Sequence, residues 1–489
     1  MWSPGLSTDT DTAERLPPHA VGGGAKKILY VLNTIRKIGV GKSAKALNSK
    51  NACKACALGM GGQQGGMTNE QGDFPSVCNK SVQAQSTDIQ PAIPEKIFEF
   101  AIPDMAQLPG REMERLGRLG HPIHKPAGSD HYRTVGWDEA LDIAAARLGA
   151  ISPDRSFFYA SGRSSNEAGF LFQLIARVYG TNNVSNCSYY CHQATGAALG
   201  DTIGTGTSTI ELDDLDHCDT IFVIGANPSS NHPRFIHKLV ACRERGGQVV
   251  MINPAKEPGL VKFALPKSPK SLLTGGTDVA SDYLQPRIGG DIALFKGLAK
   301  ALFASGSIDQ PFLDAHVEDA DVSAFRADIE TVTWSEIESE TGLSQNDIER
   351  VAALYARSNN TVFAWGMGMT HHLHGVENIH YIVNLALLRG MIGRPGAGLL
   401  PLRGHSNVQG IGTIGVKPVL AKDVLERIEK RFGLTLPREK GYDTMAAMQA
   451  AARGEVDAAV LLGGNIYAAN PDTAWAERAL DSIGFRLSL

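Results

Sequence analysis

Two apolar runs, Thr220–Gly225 and Gln248–Ile252, bracket a stretch of helical spacing that extends to about Arg245. Runs this short with little polar alternation are buried on both faces, and a helix between them makes a βαβ unit with parallel strands. Ligands of such a sheet bind beyond the carboxyl ends of its strands, where turns of Gly and Asn let backbone approach a phosphate or a base edge. The turn after the first run, Gly225-Ala226-Asn227-Pro228, and the Asn253-Pro254 pair after the second have that composition. The GxGxxG expected after the first of these strands is absent, so an ordinary NAD site is not indicated. Ala458–Leu462 running into Gly463-Gly464-Asn465 is a weak pseudo-repeat of the first strand and turn, although any buried parallel strand followed by Gly looks similar.

A third strand, Thr361–Ala364, leads into Trp365-Gly366-Met367-Gly368 and then a helix from about Asn378 to Arg389. The later stretch Pro401–Gly410, PLRGHSNVQG, mixes Gly with Arg, Ser, Asn and Gln, which suits a loop that wraps something polar with backbone and amide groups.

Two cysteine groups carry candidate chemistry. In Asn186–Gly196, NCSYYCHQATG, Cys191 precedes His192 at a predicted strand-to-helix junction. A helix N-terminus lowers a thiol pKa and an adjoining imidazole exchanges protons, so the pair suits metal ligation or acid/base work; the alternative is a buried core cysteine. Nearer the N-terminus stand Cys53 and Cys56, then Met60 where a Cys-x2-Cys-x3-Cys pattern would continue, and Cys78-Asn79-Lys80 beyond a Gly-rich stretch. Such spacing lets thiolates converge on one metal or cluster, and a C-x-x-C pair is also used for redox chemistry or for zinc completed from elsewhere.

Composition excludes some classes. A net charge of −4 gives no footprint for nucleic acid. No run approaches the roughly 20 apolar residues that span a bilayer, the N-terminus has no basic segment followed by an apolar one, and seven sparse cysteines suit a reducing interior. A cytoplasmic protein is expected.

In family order, the Cys53/Cys56/Cys78 region, Val135–Leu141, Gly162–Glu167, Thr181–Val184, Cys191-His192, Ile224–Pro228, Trp365–Gly368 and Arg403–Gly410 resemble the large subunit of the molybdenum or tungsten bis(pyranopterin guanine dinucleotide) oxidoreductases. This is the dimethyl sulfoxide reductase superfamily, in its formate-dehydrogenase-like branch. The resemblance runs from about Asn51 to the last residue. It implies Cys191 as the ligand of molybdenum or tungsten, His192 as the proton-handling neighbour, and Cys53, Cys56 and Cys78 as ligands of an iron–sulfur cluster of 4Fe-4S type with incomplete cysteine ligation. Lys80 would lie between that cluster and a pterin. Two molybdopterin guanine dinucleotides would be wrapped by Gly225, Asn227, Pro228, Asn253, Pro254, Gly289, Asp291, Gly366, Met367, Arg403, Gly404, Asn407 and Gln409, with Gly464 and Asn465 added on the pseudo-repeat.

The implied fold is α/β: interleaved lobes with Rossmann-like parallel sheets around a bis-pterin cofactor, plus a small N-terminal iron–sulfur-type lobe. Expected boundaries are 1–46, a disordered basic tail; 47–133, the cluster lobe and connector; 134–185 with 361–489, the first α/β lobe; and 186–360, the second, carrying Cys191. The implied activity is two-electron oxidation or reduction of a small molecule, with electrons passed through the cluster to a protein partner. The alternative is a cofactor-free scaffold subunit of an electron-transfer complex. Two departures from the family pattern bear on this. His380 stands where formate dehydrogenases carry an arginine, so a fixed charge for a carboxylate is lost and formate is a doubtful substrate. The chain also stops at Leu489, short of the family's C-terminal cofactor-capping domain, which points to a fragment or to a separate C-terminal polypeptide as partner.

Overall fold

The computed structural model describes residues 21–50, Cys53, Cys56, Leu58 and 64–489. The chain divides into two compact units: one of Met1–Tyr30, Thr209–Gly366 and Tyr381–Leu400, the other of Val31–Ser208, Met367–His380 and Pro401–Leu489. Nine strands form the two main sheets: β1 (Ser156–Ala160), β2 (Val184–Asn186), β3 (Thr220–Ile224), β4 (Gln248–Ile252), β5 (Asp282–Leu284), β6 (Thr361–Trp365), β7 (Gly398–Pro401), β8 (Ala458–Leu462) and β9 (Phe485–Ser488).

The first unit holds the five-stranded sheet β5-β4-β3-β6-β7. Its three inner pairings from β5 to β6 are parallel, with Thr220 opposite both Gln248 and Thr361. Every residue of β3 and β6 is buried, as the apolar runs require of strands covered on both faces. Phe222 and Phe363 stack at 5.0 Å between ring centres, and Tyr355 meets both edge-on. The helix Pro233–Glu244 returns the chain from β3 to β4; Pro233 starts it at the position where a missing N–H costs nothing, and Phe235, Ile236, Leu239 and Val240 face the sheet. A smaller sheet pairs Gly22–Gly23 in parallel with Lys262–Ala264, which pairs antiparallel with Thr277–Asp278. Within the Pro254–Tyr283 segment Leu260, Phe263 and Val279 are buried.

The second unit holds β9-β8-β1-β2, parallel throughout. Arg155 grips Asp457 through Nε at 2.5 Å and Nη2 at 2.9 Å, tying the starts of β1 and β8. Phe158, Ala160, Phe172, Ala176, Val184 and Ile411 form one core layer, and Phe157, Tyr159, Met448, Ala459, Ile466 and Ala476 the other.

Two boundary expectations change. Residues 1–20 of the expected disordered tail lie outside the described residues, but the rest is helical over Gly24–Ile38 and Val40–Leu47. Val31 and Ile35, one turn apart beneath the basic residues, pack against Leu47, Cys53 and Val82 and supply the apolar stripe that order requires. The Cys191 segment groups with β1 and β2 and not with 209–360, because the turn that carries it grows directly out of β2.

Candidate active site

In the second unit, β2 ends at Asn186, whose side chain accepts from Ser188 N at 2.8 Å and donates to Val416 O at 2.7 Å. These bonds start a single tight turn, Cys187–Tyr190, after which Cys191 and then His192, the N-cap residue, lead into the helix Gln193–Ile203. The predicted strand-to-helix junction is present with that turn inserted. Thr370 Oγ1 donates to Cys191 O at 2.6 Å, and His371 Nε2 donates to Tyr190 O.

Three influences set the Cys191 thiol. The Gly404 N–H donates to its sulfur and the Arg403 guanidinium lies beside it, both favouring thiolate; burial opposes them and dominates, so the pKa is raised. The lowering expected at a helix N-terminus is outweighed: desolvation is the largest effect and the net shift is upward. Arg403 is itself buried and donates to Gly206 O at 2.8 Å.

His192 is buried, with Nε2 3.3 Å from Leu402 O and Nδ1 3.0 Å from Thr195 Oγ1. A carbonyl can only accept, so Nε2 carries the proton and Nδ1 accepts from the Thr195 hydroxyl.

Cys187 is a site residue that the sequence reading passes over. Its sulfur accepts from Gly162 N at 3.1 Å and lies 3.0 Å from His405 Nδ1. Burial pushes this thiol up to about 11, while burial and then the Arg163 charge push His405 down to about 4. A neutral thiol therefore donates to a neutral imidazole. Asn407 completes the clasp, its N donating to Gly162 O at 2.9 Å and its Nδ2 to Ser164 O at 2.8 Å. A Cβ at Gly162 would lie 2.9 Å from Val408 Cβ, so the glycine is what lets the two segments close. Gly404, by contrast, has open space where a side chain would go. Gln409 lies in the helix Val408–Thr413 that continues this segment. The signal for Cys187 was its spacing, four residues before Cys191.

The weak pseudo-repeat is a structural repeat. Gly225 (φ 54°) and Gly463 (φ 62°) both turn left-handed after their strands. Two residues on, Asn227 (φ −119°, ψ 77°) and Asn465 (φ −107°, ψ 82°) each cap a four-residue helix through the side chain. Pro228 opens the first of these helices. Gly464 packs flat on Tyr159, where a Cβ would come within 2.6 Å of the ring. In the first unit Asn253 Nδ2 donates to Ala226 O at 3.3 Å, and Gly366 lies so close to the 225–226 turn that a Cβ would fall 2.8 Å from that of Ala226. Pro254 O accepts from Gln285 at 3.0 Å, Gly289 (φ 89°) bends the loop after β5, and Asp291 opens the helix Asp291–Ala304. Gly225 through Asp291, with Gly366, thus gather along the carboxyl edge of one sheet. Met367 starts a short helix, Met367–Thr370, that belongs to the second unit.

Cys53, Cys56 and Cys78 also lie in the second unit. Cys53 and Cys56 are buried, and Cys78 is the N-cap residue of the helix Asn79–Asp88, whose second residue is Lys80. The buried Ser81 hydroxyl lies 3.2 Å from Cys53 Sγ and 3.5 Å from Cys78 Sγ, so two of the thiols converge on one point. Ser81 was also missed; its one signal was its place after Lys80. Among the described residues no three His, Cys, Asp or Glu side chains are placed to hold a single metal ion. The Met60 position lies outside the described residues.

Parallel sheets with glycine–asparagine turns at their carboxyl ends, and a thiol held by an N–H and a guanidinium, suit a sulfur-ligated metal on a nucleotide-bearing cofactor. Comparison with known proteins gives the class: the molybdopterin oxidoreductase model matches residues 118–485, and the chain belongs to that family. Among its relatives are an uncharacterized oxidoreductase of Mycobacterium tuberculosis, 37% identical over 477 residues (95% of this chain, 60% of that one), and protein YdeP of Escherichia coli, 42% identical over 373 residues (74% and 49%). Formate dehydrogenase H of Escherichia coli is 29% identical over 381 residues (75% and 51%). Acetylene hydratase from Pelobacter acetylenicus shares the fold, with a TM-score of 0.60 at 15% identity over 84% of this chain and 55% of that one. The chain spans about half to three fifths of the length of these curated relatives. No helix among the described residues is long and apolar enough to cross a membrane.

Proposed function

We propose that this chain is the cofactor-binding part of a molybdenum or tungsten bis(molybdopterin guanine dinucleotide) oxidoreductase acting on a small molecule. The observation that carries the reading is the Cys191 sulfur, which receives the Gly404 N–H beside the Arg403 guanidinium at the carboxyl end of a parallel sheet. Cys191 would hold the metal, and a bound cation favours the thiolate that burial otherwise opposes. The glycine–asparagine turns at 225–228 and 463–465, with Asn253, the 287–291 loop and Arg403–Gln409, would hold the two dinucleotides. The cofactor, when bound, supplies two-electron redox chemistry.

The chain's own part is to position groups and to move a proton. With Nε2 committed to Leu402 O, His192 takes a proton at Nδ1, and the Thr195 bond reverses so that Nδ1–H donates to Oγ1. Cys53, Cys56 and Cys78 would hold the iron–sulfur cluster that relays electrons singly to a protein partner, with Lys80 beside it. His380 supports a substrate other than formate: its Nε2 faces Asp201 Oδ2 at 3.8 Å, so neither a guanidinium fork nor an uncompensated positive charge is offered to a carboxylate.

The test is elemental mass spectrometry for Mo, W and Fe on anaerobically purified chain, with a Cys191→Ser control. Near-stoichiometric Mo or W that falls severalfold in the control supports the reading. Background Mo and W in the wild type would sink it and favour a scaffold role.

A further inference from the structure

The part of the helix Gly24–Ile38 that belongs to the second unit, and the helix Val40–Leu47 after it, take no part in the site above and precede the region 118–485 that the family model matches. Residues 31–50 carry five cations, Arg36, Lys37, Lys42, Lys45 and Lys50, and no Asp or Glu, in a chain whose net charge is −4. All five are exposed. So complete a separation of sign puts a local positive field on an otherwise acidic chain.

Both helices turn their other side to one small core. Val31 and Ile35 pack against Leu47, Cys53 and Val82, and Ser43 and Leu47 are the buried residues of Val40–Leu47. Leu32 and Arg36, four residues apart, therefore share the solvent side of the first helix, as Lys42 and Lys45, three apart, share that of the second. Leu32 is 57% exposed and Val40 72%, so two apolar side chains stand in water among the cations. Among the described residues no carboxylate pairs with Arg36, Lys37, Lys42 or Lys45. The core beneath holds Cys53, whose sulfur shares the Ser81 hydroxyl with Cys78. A helix with its side chains is about 10–12 Å across, so a body resting on the outer face stands about one helix diameter from that cysteine.

We propose that the cationic face of residues 31–50 docks an acidic one-electron carrier protein. The proposal rests on the reading that Cys53, Cys56 and Cys78 hold an iron–sulfur cluster. Exposed cations steer a carrier of opposite sign and hold it loosely, because ion pairs in water are weak and screened by salt; that suits a partner that leaves after each electron. Leu32 and Val40 supply the small apolar centre that an interface sets inside a polar rim. Each encounter moves one electron between the cluster and the carrier, one oxidised as the other is reduced. A membrane-surface helix would instead lay its apolar stripe in lipid, and here Val31, Ile35 and Leu47 are already packed inside the protein.

The test uses anaerobically purified full-length chain and two probes, a plant-type ferredoxin, which is acidic, and mitochondrial cytochrome c, which is basic. Binding is followed by surface plasmon resonance at about 0.01 M and about 0.15 M ionic strength, between which the screening length falls from about 30 Å to about 8 Å. The expected result is ferredoxin binding that weakens about tenfold or more with the added salt, and no binding of cytochrome c. Arg36→Glu with Lys37→Glu, and Lys42→Glu with Lys45→Glu, should each weaken ferredoxin binding about tenfold or more at low salt. Lys430→Glu with Arg431→Glu, an equal change of charge at exposed positions of the helix Lys422–Phe432, should change it less than about twofold. The proposal is overturned if ferredoxin does not bind the wild type, if the first two pairs leave binding unchanged or the control pair weakens it as much, or if the chain binds phosphatidylglycerol vesicles in place of ferredoxin. The probe and salt dependence of the wild type decides even if a variant does not fold. Iron content of the same samples separates this result from the cluster reading: iron-free chain that binds ferredoxin through this face keeps the docking site and loses the cluster, and iron-loaded chain that fails to bind keeps the cluster and loses the docking site.

Discussion

At Cys187, Cys191 and His405 the same desolvation moves the pKa of two kinds of group in opposite directions and favours the neutral form of each. Burial raises the two thiols and lowers the imidazole. For His405 the sign of the pH effect follows directly. The unfolded chain takes up the proton near the ordinary value of 6.5 and the folded chain only near 4, so stability is lost as pH falls through that window and is constant above it. The loss is at most roughly 3 kcal/mol. His405→Asn should flatten the urea-unfolding midpoint between pH 7 and pH 5, whereas the wild-type midpoint falls; equal slopes would remove His405 as the cause. A second prediction belongs to Ser81, whose hydroxyl reaches Cys53 and Cys78. If the cluster assembles there, Ser81→Ala removes a donor to its thiolates and the midpoint potential moves down in a redox titration followed by electron paramagnetic resonance. An unchanged potential with full iron content would show that the hydroxyl does not act on the cluster.

Elements meet through a few buried polar anchors. Arg177, on the helix Asn166–Tyr179, is almost wholly buried and donates to Gln173 Oε1 at 2.6 Å, Gly415 O at 3.2 Å and Lys417 O at 2.7 Å, while burial lowers its pKa to about 10. It thus fixes the segment that follows Arg403–Gly410. Arg177→Met should cost about 3 kcal/mol in urea unfolding, because buried carbonyls lose their donor; a loss below about 1 kcal/mol would mean that water replaces it. The repeated turns make a paired prediction. Gly225→Ala and Gly463→Ala each force a Cβ into left-handed backbone and should cost about 1–2 kcal/mol apiece. If only one is costly, the likeness of the two turns is superficial.

For the whole molecule, each unit owns a parallel sheet and each sheet presents a glycine–asparagine turn at its carboxyl edge. The proposed cofactor carries two nucleotides, so its binding should slow amide hydrogen exchange at both 225–228 and 463–466. Comparing metal-loaded wild type with Cys191→Ser by mass spectrometry checks this, and protection confined to one turn would rule out a ligand that engages both. Core truncation gives the other measurement at this scale: Phe222→Ala, between Phe363 and Tyr355, should destabilise the chain by about 3–5 kcal/mol.

The strand boundaries Gln248–Ile252, Thr361 and Thr220, the crossover helix and the turns at Gly225 and Gly463 were legible in the sequence, because buried parallel strands are short apolar runs punctuated by residues that tolerate positive φ. The motif order also carried the family, and local composition marked Cys191-His192 and, separately, the Arg403–Gly410 loop as candidates. Contacts between distant segments were not legible. Cys187 with His405, Ser81 between Cys53 and Cys78, and Arg177 beneath Gly415 join residues whose pairing no periodicity records. The Cys191 thiol shows the division most plainly. Sequence placed it before a helix and so favoured the thiolate; tertiary structure buried it and reversed the balance, because desolvation depends on everything packed around a group and not on its neighbours in the chain.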